Sequence, residues 1–224
     1  MRLDDADFDR DVRIGFVRKV LGIVGFQLAF TLTVAVYSSS NPEVEAIVRH
    51  WATLVFSIIA IFVSLTGLMC MNMTKQVPVN YILLGIFTLA ESISVGNIAS
   101  YYETESVIQA IVVFTITTVC LLIGSLCIRS MKFYGYSMLF SVFLSITLQT
   151  IALVVLASGR ADHTALIIYS VCGSITYSIY VIVDLWLIVD RIEIDDYILG
   201  ALTLYLDLIT LFIHILQALG KAKN

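Results

Sequence analysis

The last long apolar segment of the chain, residues 197–219, limits the possible folds most strongly. It reads YILGALTLYLDLITLFIHILQAL and carries Asp207 near its midpoint. At about 1.5 Å per residue, a helix of this length crosses a hydrocarbon core of about 30 Å. A charged side chain at that depth costs about 3 kcal/mol on membrane-insertion scales. Asp207 is therefore expected to face protein or water rather than lipid.

The polar residues of this segment fall on one helical stripe. Steps of four and three residues through Asp207 connect Asp196, Gly200, Thr203, Asp207, Thr210, His214, Gln217 and Lys221. In a membrane such a stripe is predicted to face a bundle interior or a pore. The alternative is that the Thr, Gln and His side chains only hold helices together through hydrogen bonds. The ionisable Asp207 favours an ionic or proton-linked role.

The composition predicts an all-α, polytopic membrane protein. Of 224 residues, 59% are hydrophobic and 13% are charged, and the mean hydropathy is +0.96, which is too apolar for a soluble domain. We expect a polar tail over 1–13, one transmembrane domain over 14–219 and a short tail over 220–224. Within that domain, seven spans are predicted at 14–37, 51–71, 79–100, 106–128, 133–157, 164–189 and 197–219, with a turn at 38–43.

The distribution of basic residues predicts a cytosolic N-terminus. The N-terminal side of the predicted bundle would hold Arg2, Arg10, Arg13, Arg18, Lys19, Lys75, Arg129, Lys132 and Arg191, and the other side only Arg49, Arg160, Lys221 and Lys223. A re-entrant last segment would move the two C-terminal lysines to the cytosolic side. The length of 197–219 favours a full crossing instead, so both alternatives stay open.

Three carboxylates lie inside predicted spans: Glu91, Asp184 and Asp207. Asp184 and Asp207 differ in expected depth by only about 8 Å, so they can form a close pair. In a low-dielectric site, ionising both carboxyls of a close pair is energetically unfavourable, so the two groups would titrate as a unit. The pair could bind a hard cation such as calcium, act as a proton-controlled latch or form a catalytic dyad.

The catalytic alternative is the weakest of the three. Intramembrane aspartyl proteases carry one aspartate in a GxGD motif, whereas LYL precedes Asp207 and VIV precedes Asp184. We therefore expect no enzyme, no cofactor and no nucleic-acid partner. His214 is expected to be a hydrogen-bonded core residue that modulates protonation of the stripe, rather than a metal ligand.

Three blocks of sequence resemble a known family. They are VRIGFVRKVLGIVGFQLAFTL (12–32), VPVNYILLGIFTLAESISVGNIASYY (77–102) and DDYILGALTLYLDLITLFIHIL (195–216). They resemble the transmembrane Bax-inhibitor-motif proteins, and most of all the lifeguard and Golgi anti-apoptotic branch. The resemblance implies a seven-helix bundle with the last helix in the centre, in Golgi or endoplasmic reticulum membranes.

The resemblance also implies a function and its residues. It implies a pH-sensitive calcium leak that lowers store calcium and modulates cell death. The family's aspartate pair maps onto Asp184 and Asp207, and a third-span acidic residue maps onto Glu91. The sequence departs from the family's pattern in two places. Leu185 and Trp186 follow Asp184, and no Arg or Lys lies between Arg49 and Lys75 to act as a latch.

We therefore predict a calcium channel gated by protons, with Asp207 as ion-path residue and proton acceptor and Asp184 as its partner. Both are the candidate metal ligands, and Glu91 would tune permeation. The pore stripe would be Asp196, Thr203, Thr210, His214 and Gln217. The predicted partners are calcium ions, protons and the lipid bilayer. Rival hypotheses are an anti-apoptotic scaffold that binds death-regulating membrane proteins, and a proton-coupled cation transporter.

Overall fold

The computed structural model describes residues 2–70, 75–127, 136, 140, 142–147 and 163–223. The bounds of its helices are α1 Arg2–Ser40, α2 Pro42–Arg49, α3 Trp51–Leu65, α4 Val79–Ser100, α5 Thr104–Cys127, α6 His163–Asp190 and α7 Tyr197–Leu219. A π-helical turn, Thr66–Cys70, extends α3, and a 3-10 turn, Ile194–Asp196, precedes α7. All these elements are helical, as predicted.

Six of the described helices are long and apolar enough to cross a membrane. They correspond to the predicted spans one to four, six and seven; the last predicted residues of spans two and four, 71 and 128, lie outside the described residues. The observed bounds of α4 and α7 equal the predicted ones. The predicted fifth span, 133–157, lies outside the described residues except for 136, 140 and 142–147. The chain is thus a helical, multi-pass membrane protein.

The predicted turn at 38–43 is wrong. Helix α1 continues through Ser40, and α2 begins directly after Asn41. Asn41 accepts a hydrogen bond from the backbone N–H of Glu43 at 2.9 Å, and Pro42 occupies the first turn. An Asn cap followed by Pro is a strong start signal, so a short helix replaces the turn.

The two ends of the bundle are defined by contacts between distant parts of the chain. At the first, which we call the Arg13 end, Arg13 contacts the segment after α6 and Lys75 contacts Asp196. At the second, the Arg49 end, Arg49 binds Ser100, and the backbone N–H of Glu103 donates to the carbonyl of Lys221. Helix α7 begins at the Arg13 end and finishes at the Arg49 end. It therefore runs the whole length of the bundle, from one end to the other.

Helix α7 is the central helix, as the resemblance implied. About 67% of the 18-residue apolar stretch in α7 is buried, against 17 to 44% of the corresponding stretch in the other five spans. It contacts α1, α4, α5 and α6. Edge-to-face aromatic pairs join it to α4, through Phe87 and Tyr205, and to α5, through Phe114 and Phe212. The polar stripe of α7 is thereby held inside the bundle rather than against lipid.

Candidate ion site between the last two helices

The carboxyl groups of Asp184 and Asp207 lie against each other where α6 faces α7. The hydroxyl of Thr203 reaches the Asp184 carboxyl from one turn before Asp207. Both aspartates are half-buried, and Oδ2 of Asp184 is buried without a hydrogen-bond partner among the described residues. The structure thus brings together the two residues that the spacing only allowed to meet.

The pair sits well below the Arg13 end. Asp184 precedes the last residue of α6, Asp190, by less than two turns, or about 9 Å. Asp207 follows the first residue of α7, Tyr197, by about 15 Å. Only residues 191–196 separate the two helices, so α6 and α7 pack antiparallel and hold both carboxyls at a similar depth in the bundle. Both residues lie within helices that are long and apolar enough to cross a membrane, where an uncompensated charge is costly.

Two carboxyls and one hydroxyl can share a proton or receive a cation, but they do not make a complete calcium site. Calcium takes six to eight oxygen ligands. In the described part of the chain, no third His, Cys, Asp or Glu joins the pair in a metal-binding group. A cation at Asp184 and Asp207 would therefore keep most of its ligands as water, which suits a passing ion better than a resident one.

The other residues of the stripe have different partners. Thr210 donates to the carbonyl of Leu206 in its own helix at 2.8 Å, and Ser170 of α6 donates to Oε1 of Gln217 at 3.5 Å. Thr203, Thr210 and Gln217 are half-buried. Asp196 lies outside this interface, because it forms an ion pair with Lys75 at 3.3 Å. The stripe therefore lines the contact between α6 and α7 over most of its length.

His214 is enclosed by aromatic rings. The ring of Tyr177 stacks on it with centroids 5.4 Å apart, and Tyr169 contacts it edge-on at 5.3 Å. A Cβ on Gly173 would lie 2.5 Å from the imidazole, so the glycine makes room for the ring. Nδ1 of His214 is buried without a partner among the described residues. Tyr177 also interacts electrostatically with Asp207, and so links His214 to the pair.

Glu91 does not join the aspartate pair. It is half-buried on α4 and interacts with Tyr205 of α7. Tyr205 and Asp207 are two residues apart, which places them about 200° apart around the helix. Glu91 therefore lies on the opposite side of the central helix from Asp184.

A buried hydrogen-bond network around Tyr205 was missed by the sequence analysis. The hydroxyl of Thr31 lies 2.8 Å from those of Tyr205 and Ser92, and Gln27 donates to Thr88 at 2.7 Å. Two pairs spaced by four residues in apolar helices, Gln27 with Thr31 and Thr88 with Ser92, were the available signal. The network joins α1, α4 and α7, so it fixes the rotation of the helix that carries Asp207.

Basic residues fix the loop between α6 and α7 at the Arg13 end. Arg13 donates to the carbonyls of Val189 and Ile192 at 2.5 and 2.6 Å, which places a cation at the C-terminus of α6. Lys75 donates to Glu193 at 3.0 Å, and its hydrogen bonds to the carboxylates of Glu193 and Asp196 raise the pKa of Lys75. These contacts hold in place both helix ends that lead to the carboxylate pair.

Together, the fold and the site define a class: multi-pass helical membrane proteins with a carboxylate pair between the last two helices. Comparison with known proteins makes this specific. The family model described as "Inhibitor of apoptosis-promoting Bax1" matches residues 13–224, and the chain belongs to this family. The predicted resemblance is thereby confirmed, and the family is not defined by an enzymatic activity.

Relatives in animals and plants match almost the full length of the chain. Protein lifeguard 3 of Homo sapiens is 30% identical over 228 residues, which cover 95% of this chain and 70% of the relative. Protein LIFEGUARD 4 of Arabidopsis thaliana is 30% identical over 222 residues, covering 95% and 87%. The BI1-like protein of Arabidopsis thaliana is 28% identical, covering 96% and 84%.

Proposed function

We propose that this protein is a pH-sensitive, calcium-permeable leak channel of Golgi or endoplasmic reticulum membranes, with its Arg13 end in the cytosol. By lowering store calcium it would modulate cell death. The observation that carries this proposal is the Asp184–Asp207 contact, in which two carboxyls meet on two helices that are each long and apolar enough to cross a membrane. Such intramembrane ionisable residues mark ion and proton pathways.

The proposed mechanism rests on the proton shared by the pair. When one carboxyl is protonated, it can donate to the other and hold α6 against α7. When both are ionised, they repel each other, and a divalent cation is the species that relieves the repulsion. Loss of the proton would therefore open the contact between the helices and admit the ion. His214, stacked on Tyr177, would modulate this step from about two turns deeper.

Glu91 has a separate role in this proposal. Since it lies across the central helix from the pair, it cannot share the pair's proton. It would act on permeation through Tyr205, whose hydroxyl is bonded to Thr31. A Glu91→Gln substitution should accordingly change the size of the calcium flux while leaving its pH dependence in place.

The test is calcium flux into proteoliposomes between pH 6 and pH 8. Wild-type protein is compared with Asp184→Asn and Asp207→Asn at equal protein content, and with Asp195→Asn, an exposed acid of the same loop, as the matched control. Wild-type and control flux should depend on pH, and the two pair variants should give flat curves. Folded wild-type protein that yields no flux above empty vesicles would refute the channel.

A second candidate is an anti-apoptotic scaffold without conduction, which the description of the matching family favours. In that case the pair only specifies helix packing. Asp207→Asn would then lower thermal stability, and pull-down of apoptosis-regulating membrane proteins would depend on the surface rather than on the pair. Saturable uptake against a calcium gradient would instead indicate a proton-coupled cation transporter.

A further inference from the structure

A groove between α1 and α4, on the outside of the bundle, is not used by the proposed mechanism. It has a volume of about 620 Å³, which is within the range of ligand-binding pockets. Its apolar walls and floor are formed by Gly22, Ile23, Phe26, Phe30, Leu84 and Gly85. The exposed fraction of Phe26 is 74%, so the groove opens sideways. In a membrane that opening faces the hydrocarbon chains of lipids.

Two glycines make the groove deep. A Cβ added at Gly22 or Gly85 would find nothing within 4 Å, so the space over both residues is open. Side chains at these positions would fill it. Both glycines line the same groove, Gly22 from α1 and Gly85 from α4.

The mouth of the groove is basic. Arg18 and Lys19 line it at the Arg13 end, and Tyr81 stands beside them. The ammonium of Lys19 lies 3.2 Å from the centroid of the Tyr197 ring, which fixes its position. Among the described residues, the neighbouring carboxylates Glu193 and Asp196 are paired with Lys75, and neither Arg18 nor Lys19 forms an ion pair. Both cations can therefore receive an anion.

The length of the groove fits one leaflet. From Arg18 to Phe30 along α1 is about 18 Å, while half of the hydrocarbon core is about 15 Å. A phosphate held at Arg18 and Lys19 would thus place an acyl chain along the full groove. Basic pockets between transmembrane helices are suited to anionic headgroups.

We infer that the groove between α1 and α4 is a binding site for one anionic glycerophospholipid, with its phosphate at Arg18 and Lys19 and one acyl chain over Gly22 and Gly85. This site uses neither residue of the aspartate pair, and its lining includes Gln27 and Thr88 of the Tyr205 network. The lipid would brace α1 against α4 on the outer side of the two helices that carry the Tyr205 network.

The test is native mass spectrometry of the purified full-length protein, titrated with phosphatidylserine or phosphatidylcholine. The wild type should bind one phosphatidylserine at saturation, and bind it more tightly than phosphatidylcholine. One basic residue near an anionic headgroup changes affinity about fivefold. Arg18→Gln should therefore weaken phosphatidylserine binding about fivefold, and should weaken phosphatidylcholine binding less, because its choline cation offsets the phosphate charge. Lys221→Gln, which removes a charge at the other end of the bundle, should have no effect.

Substitutions that fill the groove distinguish lipid binding at this site from non-specific association of the lipids that surround the protein. Gly85→Leu, or Gly22→Leu should the first not fold, should abolish the single tight phosphatidylserine adduct. Gly124→Leu on α5 is the matched control, since a Cβ there also meets nothing within 4 Å. A folded groove variant that keeps wild-type affinity overturns the inference, as does equal binding of the two lipids.

A photo-reactive phosphatidylserine gives a readout that needs no variant. Cross-linked peptides from 18–30 and 81–89 would support the groove. Cross-links spread evenly over the lipid-facing helices, without enrichment there, would overturn it.

Discussion

The carboxyl of Asp184 lies against the carboxyl of Asp207, although the two residues belong to different helices and sit more than a turn inside the membrane from the loop that joins them. Antiparallel packing of α6 and α7 enforces this contact. Each group is half-buried, so water can screen the pair only in part. The energetic consequence is that the protonation of one carboxyl depends on that of the other.

This coupling predicts a pH-dependent stability that needs both aspartates. Two adjacent carboxylates repel when both are charged, and an increase in pH removes the shared proton. We expect the melting temperature of the wild type in detergent to fall between pH 6 and pH 8 more steeply than that of Asp184→Asn or Asp207→Asn. Asp195→Asn should follow the wild type. Parallel curves for all four proteins would show that the pair is not coupled.

The Tyr205 network predicts a loss of stability on removal of one hydroxyl. In Tyr205→Phe, Thr31 loses a 2.8 Å partner but keeps Ser92 and the carbonyl of Gln27. The cost should be about 1 kcal/mol, the usual net value of one hydrogen bond, and thermal unfolding in detergent measures it. Tyr37→Phe, at an exposed site on α1, is the control and should change stability less. An unchanged midpoint in Tyr205→Phe would mean that the network is not stabilising.

The extent of the long helices could be predicted from the sequence because polar segments bound them. The run DRIEIDD before Tyr197 and the glycine after Leu219 delimit α7, and Pro78 delimits α4. Helix α2 escaped prediction because it has no long apolar run. Its only signals were the cap at Asn41 and the proline after it.

The site was predicted in part. The spacing of three and four residues placed Thr203, Asp207 and His214 on one face, and this face does meet another helix. The identity of that helix depends on packing, which spacing along one segment does not determine. For the same reason the sequence did not show that Glu91 lies on the other side of α7, or that Tyr205 finds Thr31 across the bundle.

The close approach of Gly173 to His214 predicts that substitutions at these two positions are strongly coupled in their effects on stability. In Gly173→Ala the new Cβ would lie 2.5 Å from the imidazole, so the ring must leave its place against Tyr177. Overpacking of this kind costs about 1–3 kcal/mol. A double-mutant cycle with His214→Ala should recover most of that cost, because the obstructing ring is then absent. The measurement is thermal unfolding of the four proteins.

The control for this cycle is Gly124→Ala, where the new Cβ meets nothing within 4 Å. Alanine is favoured over glycine within a helix by about 1 kcal/mol, so this variant should be as stable as the wild type or more so. If Gly173→Ala behaved in the same way, the close approach of Gly173 to His214 would be disproved.

The contact of the C-terminal tail with α2 predicts a second pH dependence of stability, located at the Arg49 end of the bundle. Lys223 donates to Glu45 at 2.6 Å, and this hydrogen bond, together with the charge of Arg49, holds the pKa of the Glu45 carboxyl below its usual value of 4.5. A lowered pKa in the folded state means that the contact stabilises the protein above pH 4.5. The stabilisation is lost as the pH falls through the lowered pKa. For a partly exposed pair it amounts to at most about 1 kcal/mol.

Hydrogen exchange can follow this loss at the backbone of the tail, where the N–H of Lys223 donates to the carbonyl of Tyr101 at 2.9 Å. Glu45→Gln should lower the protection factor of the residue 223 amide at neutral pH to the value that the wild type shows only in acid, where Glu45 is protonated. Glu43→Gln, an exposed neighbour on α2, should leave exchange unchanged. Protection of residue 223 that is equal in Glu45→Gln and wild type would show that the backbone contacts hold the tail alone.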